Sequence, residues 1–251
     1  MLFARGDTLF SSDWHVLHRN IYWFLPEQRQ RISGALDPRR LSEPAFLAAE
    51  RATYERILED VRARTAIGSV RRFVFLGDLV FGLSRTRRTR ALLETVDREL
   101  PAVSAIFELL RSRGIERILV LGNHDDHKLR DAAACAFYHR LFDQISLVVR
   151  VDDAICTHFP LGYSRAAVVT TGTPDEKYYR MARTFAQLDR RLLDQLAGGR
   201  SINLHGHIHA GPFRHGVAGV EYHNVALDIV AGGANTVSSN LVDDVTTLAS
   251  L

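Results

Sequence analysis

Lysine is almost absent from this chain. It occurs only as Lys128 and Lys177, so arginine carries nearly all the positive charge. The net charge of +3 is too small to require a nucleic-acid partner. Cysteine is scarce too: Cys135 and Cys156 lack the paired spacing of a metal finger and read as buried free thiols suited to a reducing compartment. No apolar run approaches the roughly 20 residues that span a bilayer. Met1 to Phe10 leads straight into a strand-like run, without the basic start, long apolar stretch and cleavage site of a secretory signal. A cytoplasmic protein with no membrane partner is therefore expected. Repeats, low-complexity tracts and linkers are also missing, which assigns all of 1–251 to a single domain with a sizeable core.

What is present is an alternation of short strand-like and helical patterns, the signature of an α/β fold. Strands are expected at Thr8–Ser12, Arg72–Leu76, Arg117–Leu121, Ser146–Val151, Ala154–Thr157, Ile202–His205 and Val220–Val225. Phe73 to Leu76 and Ile118 to Leu121 are continuously apolar, as in strands covered on both faces. Polar residues that follow such strands emerge together at one rim of a sheet. Two helices are well marked. One runs over Ser42–Ala66, with Ser42 as cap, Pro44 in the first turn, and Leu47, Tyr54, Ile57, Leu58 and Val61 along one face. The other opens on the capping box Thr173-Pro174-Asp175-Glu176, carries an apolar stripe from Tyr178 to Leu196 and stops at Gly198-Gly199.

Five short motifs then occur in order: Asp13-Trp14-His15, Gly77-Asp78, Gly122-Asn123-His124-Asp125, Thr157-His158 and Gly206-His207-Ile208-His209. Singly most are ordinary, since Gly-Asp is commonly a turn and a histidine after an apolar strand is commonly a bonded core residue. Together, with strands ahead of them, they supply the oxygen and nitrogen donors of a dinuclear metal site. Asp78, at the end of a buried strand, suits a carboxylate bridging two cations. Asp13 and His15 are two residues apart, so on an extended strand end both side chains would point the same way. Asn123 adds a carbonyl oxygen without charge, and His158, His207 and His209 add imidazoles.

This pattern, D-x-H, G-D, G-N-H-[DE], H and G-H-x-H, resembles that of the calcineurin-like metallophosphoesterases, and the likeness extends from residue 13 to residue 209. The resemblance implies a four-layer αββα sandwich, two mixed β-sheets flanked by helices, with the metals at the strand ends. It assigns Asp13, His15, Asp78 and His209 to one metal, and Asp78, Asn123, His158 and His207 to the other. His124 would act as general acid at the leaving-group oxygen. A hydroxide between the cations would attack phosphorus in line. A finer likeness is to small bacterial phosphoesterases with D-x-H-x-x-H-x-N-I, met here by Asp13, His15, His18, Asn20 and Ile21. Their late N-V-x-x-D is met by Asn224, Val225 and Asp228. The chain departs from that subgroup by a helical insertion at about 22–68.

Several branches of the superfamily fit poorly. Protein serine/threonine phosphatases carry G-D-x-V-D-R-G, whereas this chain reads Gly77-Asp78-Leu79-Val80-Phe81-Gly82. Purple acid phosphatases place a tyrosine where Phe81 stands. The pyrophosphatases of lipid A synthesis usually carry arginine where His124 stands. A phosphodiesterase acting on a small phosphoester is the leading expectation, ahead of a nuclease acting on DNA or RNA and of a catalytically silent metal-binding scaffold. Manganese is the foremost cofactor, and iron, zinc, nickel or cobalt would suit the same mixed donors. Arg19, Arg85, Tyr163 and Arg165 are candidate substrate contacts. His18, Asp125 and His205 are candidates to support the ligands from behind.

Overall fold

The computed structural model describes residues 1–35, 40–81, 88–125, 131–161, 201–209, 213–217 and 220–231. Along β2 (Thr8–Ser11), β3 (Arg72–Phe75) and β4 (Glu116–Val120) the side chains alternate between two different cores. Leu9, Phe73, Phe75 and Leu119 enter one, while Phe10, Val74, Ile118 and Val120 enter the other. That is why these strands read as continuous apolar runs: neither face meets water.

With β1 (Phe3–Arg5) and β5 (Gln144–Ser146) they form a five-stranded sheet ordered β1-β2-β3-β4-β5, antiparallel only at β1–β2. The second sheet joins β6 (Val149–Val151), β7 (Ala154–Cys156), β8 (Ser201–His205), β10 (Val220–Asn224) and β9 (Arg214–Val217) in that order. Its β7–β8 and β8–β10 pairs are parallel, and its outer pairs are antiparallel. The sheets pack face to face through Phe10, Val74, Leu76, Ile118 and Val120 against Val151, Ala154, Cys156, Leu204 and Val225. The result is a mixed α/β architecture of two mixed sheets flanked by helices.

Helices α3 (Glu43–Thr65), α4 (Arg88–Glu99), α5 (Pro101–Ser112) and α6 (Ala132–Leu141) contribute to the core on the other face of the first sheet. Trp14, Phe75, Phe107 and Phe142 meet there edge-on or tilted, with Trp14–Phe75 and Phe107–Phe142 centroids 5.1 and 4.9 Å apart. The Ser42 hydroxyl accepts a bond from the Ala45 amide at 3.4 Å, capping α3, whose buried stripe includes Phe46, Tyr54, Ile57 and Val61. Before α3, two shorter helices, α1 (Ile21–Phe24) and α2 (Pro26–Ser33), fill the segment after the first motif. Among the described residues, a further short helix, α7 (Leu227–Ala231), follows β10 and packs on α2. The helix expected over Thr173–Leu196 lies outside the described residues.

One expected strand is corrected. Ser146–Val151 is not one strand but the junction of two: β5 ends at Ser146 in the first sheet and β6 begins at Val149 in the second. The Ser146 hydroxyl donates to the Val148 carbonyl at 2.8 Å, turning the chain between sheets. Cys156 is fully buried, and burial pushes its thiol up to about 12. Cys135, on α6, is only half-buried. Among the described residues, no helix is long and apolar enough to cross a membrane.

Candidate metal centre

The motifs follow β2, β3, β4, β7 and β8, and the topology brings these strand ends to one edge of the paired sheets. Past Ser11, β2 gives up regular pairing, yet the chain stays tied to the Gly77–Leu79 turn. Asp13, His15 and Val16 amides donate to the carbonyls of Gly77, Asp78 and Leu79 at 2.9, 3.0 and 2.8 Å. Here the strand-end expectation for Asp13 and His15 is corrected. Both have left-handed backbones, φ 56° and 50°, so extended alternation is not what aims them. Asp78 and His207 share that conformation, at φ 60° and 65°. Non-glycine residues held there cost on the order of 1–3 kcal/mol each, and such strain concentrates where side chains must be aimed.

The donors converge in three groups that share members: Asp13 with His15 and His209, His15 with Asp78 and His124, and Asp78 with His158 and His207. At the first, His15 Nε2 and His209 Nε2 approach to 3.1 Å and lie 3.7 and 3.6 Å from Asp13 Oδ1. Asp13 Oδ1 is buried and accepts no hydrogen bond, while Asp13 Oδ2 accepts from Ser12 Oγ and from the His207 amide. At the third, Asn123 Oδ1 stands 2.9 Å from His158 Nε2 and 3.0 Å from His207 Nδ1. Asp78 Oδ2 is 3.5 Å from His158 Nε2, and 3.9 Å from both His15 Nε2 and His124 Nε2. Two imidazole nitrogens facing each other beside an orphaned buried carboxylate oxygen is an arrangement that a cation completes. The donor set therefore fits divalent metal ions with mixed N/O preference.

Burial and mutual charge set the electrostatics of the cluster. Burial pushes the Asp78 carboxyl up to about 7; His158 opposes the rise, and Asp125 and Asp13 add to it. Burial and neighbouring imidazoles hold His15 and His207 well below the usual histidine range, keeping them neutral with lone pairs to give. Burial also lowers His158 and His209, but nearby carboxylates outweigh it and leave both raised: Asp78 and Asp13 for His158, Asp228 and Asp13 for His209.

The supporting residues hold backbone as much as side chains. Asp125 accepts from the Asp78 and Gly122 amides at 2.6 and 2.9 Å and from the Tyr138 hydroxyl at 2.7 Å, joining the second motif to the third. His158 Nδ1 donates to the Leu76 carbonyl at 2.6 Å, which turns Nε2 toward the cluster. His205 is buried with Nδ1 2.9 Å from the Gly206 carbonyl. His18 reaches the cluster by ring contact, 5.5 Å from His15 and edge-on to Phe81, and burial lowers it to about 4. Arg19 is engaged elsewhere: its guanidinium donates to Glu43 at 2.8 Å and to the Leu41 carbonyl. Arg85, Tyr163 and Arg165 lie outside the described residues.

His124 is half-buried, its amide bonded to Asp78 Oδ1 at 2.8 Å and its ring 5.5 Å from His15 and 5.1 Å from Phe81. It shares a donor group with His15 and Asp78, its Nε2 3.9 Å from Asp78 Oδ2. Its replacement by alanine is expected to lower turnover about 10²–10⁴-fold while metal stays bound, with the largest loss for poor leaving groups. Metal content and kcat on esters of differing leaving-group pKa check this, and loss of metal would reassign His124 as a ligand.

Sequence reasoning passed over two residues. Asp228 entered only as the last letter of a late pattern, and Arg29 not at all, yet both side chains are fully buried and paired beside His209. A charged residue on a short helix gives no sequence signal of a partner so far along the chain.

The sequence matches no protein-family model and no curated protein. Among solved structures, it aligns with that of the Pseudomonas putida nuclease MPE at a TM-score of 0.39 and 15% identity, covering 81% of this chain and 62% of that one. The chain thus spans less than two thirds of the nuclease's length.

Proposed function

We propose that this protein is a calcineurin-like metallophosphoesterase that hydrolyses phosphodiesters with two divalent cations, manganese foremost. The observation that carries this reading is the overlap of three His/Asp groups at shared members, with Asp78 in two of them. In this reading Asp13, His15, Asp78 and His209 would hold one cation, and Asp78, Asn123, His158 and His207 the other. When bound, such a pair neutralises phosphoryl oxygens and makes water acidic near neutral pH.

The chain's own residues then orient and move protons. Asp13 and Asp78 lend negative charge at the base of the site, fixed by the His207 and His124 amides respectively. His158 is locked in one tautomer by the Leu76 carbonyl. His124, when protonated, holds a proton at Nε2 for the departing oxygen. Phe81 packs beside it and shields one side from water. No side chain needs to become a covalent nucleophile.

A second reading, cleavage of nucleotide chains, has one observation in its favour. Trp23 and Phe24 on α1 are each 62% exposed and adjacent, their rings 5.9 Å apart, and Phe24 touches His18, which touches His15. Exposed aromatic pairs near a phosphate site can stack bases, at about 1–3 kcal/mol per base. Trp23→Ala is expected to raise KM for a dinucleotide about tenfold with kcat preserved. An unchanged KM would return α1 to an ordinary exposed turn.

The reading as a whole is tested by hydrolysis of bis-p-nitrophenyl phosphate and p-nitrophenyl phosphate by metal-free protein before and after Mn²⁺ is added. Mn²⁺-dependent turnover with preference for the diester is the expected outcome. No turnover of either ester with metal bound would favour a silent binding protein.

A further inference from the structure

His209 has a partner behind it. Its Nδ1 lies 2.8 Å from Asp228 Oδ2, so Nδ1–H donates to the carboxylate and Nε2 faces His15 and Asp13 Oδ1 with its lone pair. Asp228 in turn pairs with Arg29 of α2: Nη2 donates to Oδ2 at 3.2 Å, Nε stands 2.8 Å from Oδ1 as an ion-pair contact without hydrogen-bond geometry, and both side chains are fully buried. The guanidinium reaches further: Nη2 and Nη1 approach the Trp14 carbonyl at 3.4 and 3.5 Å, and Tyr54 donates to the same carbonyl at 3.2 Å. Trp14 is the residue between Asp13 and His15. One arginine therefore braces His209 through Asp228, and Asp13 and His15 through the main chain that links them. The Leu227 amide donates to the Ser12 carbonyl at 3.0 Å, tying the start of α7 to the same segment. Asn123, His158 and His207 have no part in these contacts.

We propose that Arg29 and Asp228 are positioning residues for one of the two metal positions only, the one formed by Asp13, His15 and His209, and that α2 is thereby a working part of that position. This rests on the metal reading above. The physical reason is orientation: a ligating imidazole held by a buried carboxylate keeps its tautomer and ring plane, and losing that partner typically costs about 10–100-fold in metal affinity. A buried carboxylate needs its own countercharge, which Arg29 supplies. Glu50 completes the surround, accepting from the Leu17 amide and the Tyr22 hydroxyl, each at 2.8 Å.

The test is Mn²⁺ binding, by metal analysis after gel filtration and by calorimetric titration, on the parent chain and on Asp228→Asn. Because that variant leaves Arg29 buried without its countercharge, Arg29→Met/Asp228→Asn, which removes both charges, is measured alongside, with circular dichroism reporting folding. Two Mn²⁺ are expected to bind the parent. In the variants one is expected to weaken about 10–100-fold while the other keeps its affinity, and the spin-coupled electron paramagnetic resonance signal of a pair gives way to that of single ions. Two sites of parental affinity, or equal weakening of both, would overturn the proposal. A parent chain that binds no Mn²⁺ would instead overturn the metal reading beneath it.

Discussion

Asp78→Ala is expected to abolish Mn²⁺-dependent hydrolysis and to leave the protein folded. Asp78 belongs to two of the three donor groups, and its Oδ2 lies within 3.9 Å of His15, His124 and His158. Asp125 cannot take that place, since it is committed to two amides and the Tyr138 hydroxyl. Cation stabilisation of phosphoryl transfer is worth several kcal/mol, so the fall in kcat is expected to reach about 10³-fold or more. Folding survives for an electrostatic reason. Burial disfavours the charge of the folded carboxyl and holds it above the ordinary 3.8. A carboxyl with a raised folded value contributes stability fully present below the unfolded value and lost as pH rises through the folded one. As pH rises through that raised value, the parent stripped of metal therefore takes on a penalty that alanine removes, against the loss of one bond to the His124 amide. Chemical denaturation of both proteins without metal, from pH 4 to pH 8, is expected to show a steeper loss of stability with rising pH in the parent. Parallel curves would mean that Asp78 is not held in the way described.

The second large effect comes from adding a single methyl group. Gly206→Ala would put Cβ 2.0 Å from Ser12 Oγ and 2.3 Å from Asp13 Oδ2. Neither atom is the free end of a flexible chain. Ser12 Oγ lies within hydrogen-bond distance of both the Leu76 carbonyl, at 2.7 Å, and Asp13 Oδ2, with one proton to give, and Asp13 Oδ2 also accepts from the His207 amide at 2.8 Å. Relief must therefore move Asp13 or the β8 loop that carries His207 and His209. Overpacking of this kind typically costs about 1–3 kcal/mol, and a shift of about 1 Å in a reacting group costs about 10²-fold in rate. Gly122→Ala is the companion case, with Cβ 2.2 Å from Asp78 Oδ1 and 2.7 Å from the Asp78 nitrogen. Both variants are expected to lose Mn²⁺ affinity and to melt lower. Parental metal affinity in either would show that the loops have room that the structure denies them.

These glycines mark where sequence reading reached and where it stopped. The motif letters, and their places after β2, β3, β4, β7 and β8, are legible from apolar runs such as Phe73 to Leu76, because strand burial is a local pattern. The long helix over Glu43–Thr65 is legible for the same reason, through its Ser42 cap and apolar stripe. The aim of Asp13 and His15 is not legible, since it depends on left-handed backbones held by the carbonyls of Gly77 and Asp78, more than sixty residues away. The two-sheet division at Ser146 was hidden because Ser146–Val151 reads as one unbroken strand-like run. Arg29 and Asp228 were hidden most deeply: on their own helices each is an ordinary charged residue, and only the fold buries them together.

Asp78 stands at the centre of the paired metal site proposed for this chain. Electron paramagnetic resonance of metal-free protein titrated with Mn²⁺ tests it most directly. A spin-coupled spectrum that saturates at two Mn²⁺ per chain and is lost in Asp78→Ala is expected. Saturation at one Mn²⁺ per chain, or two ions with no magnetic coupling, would contradict it.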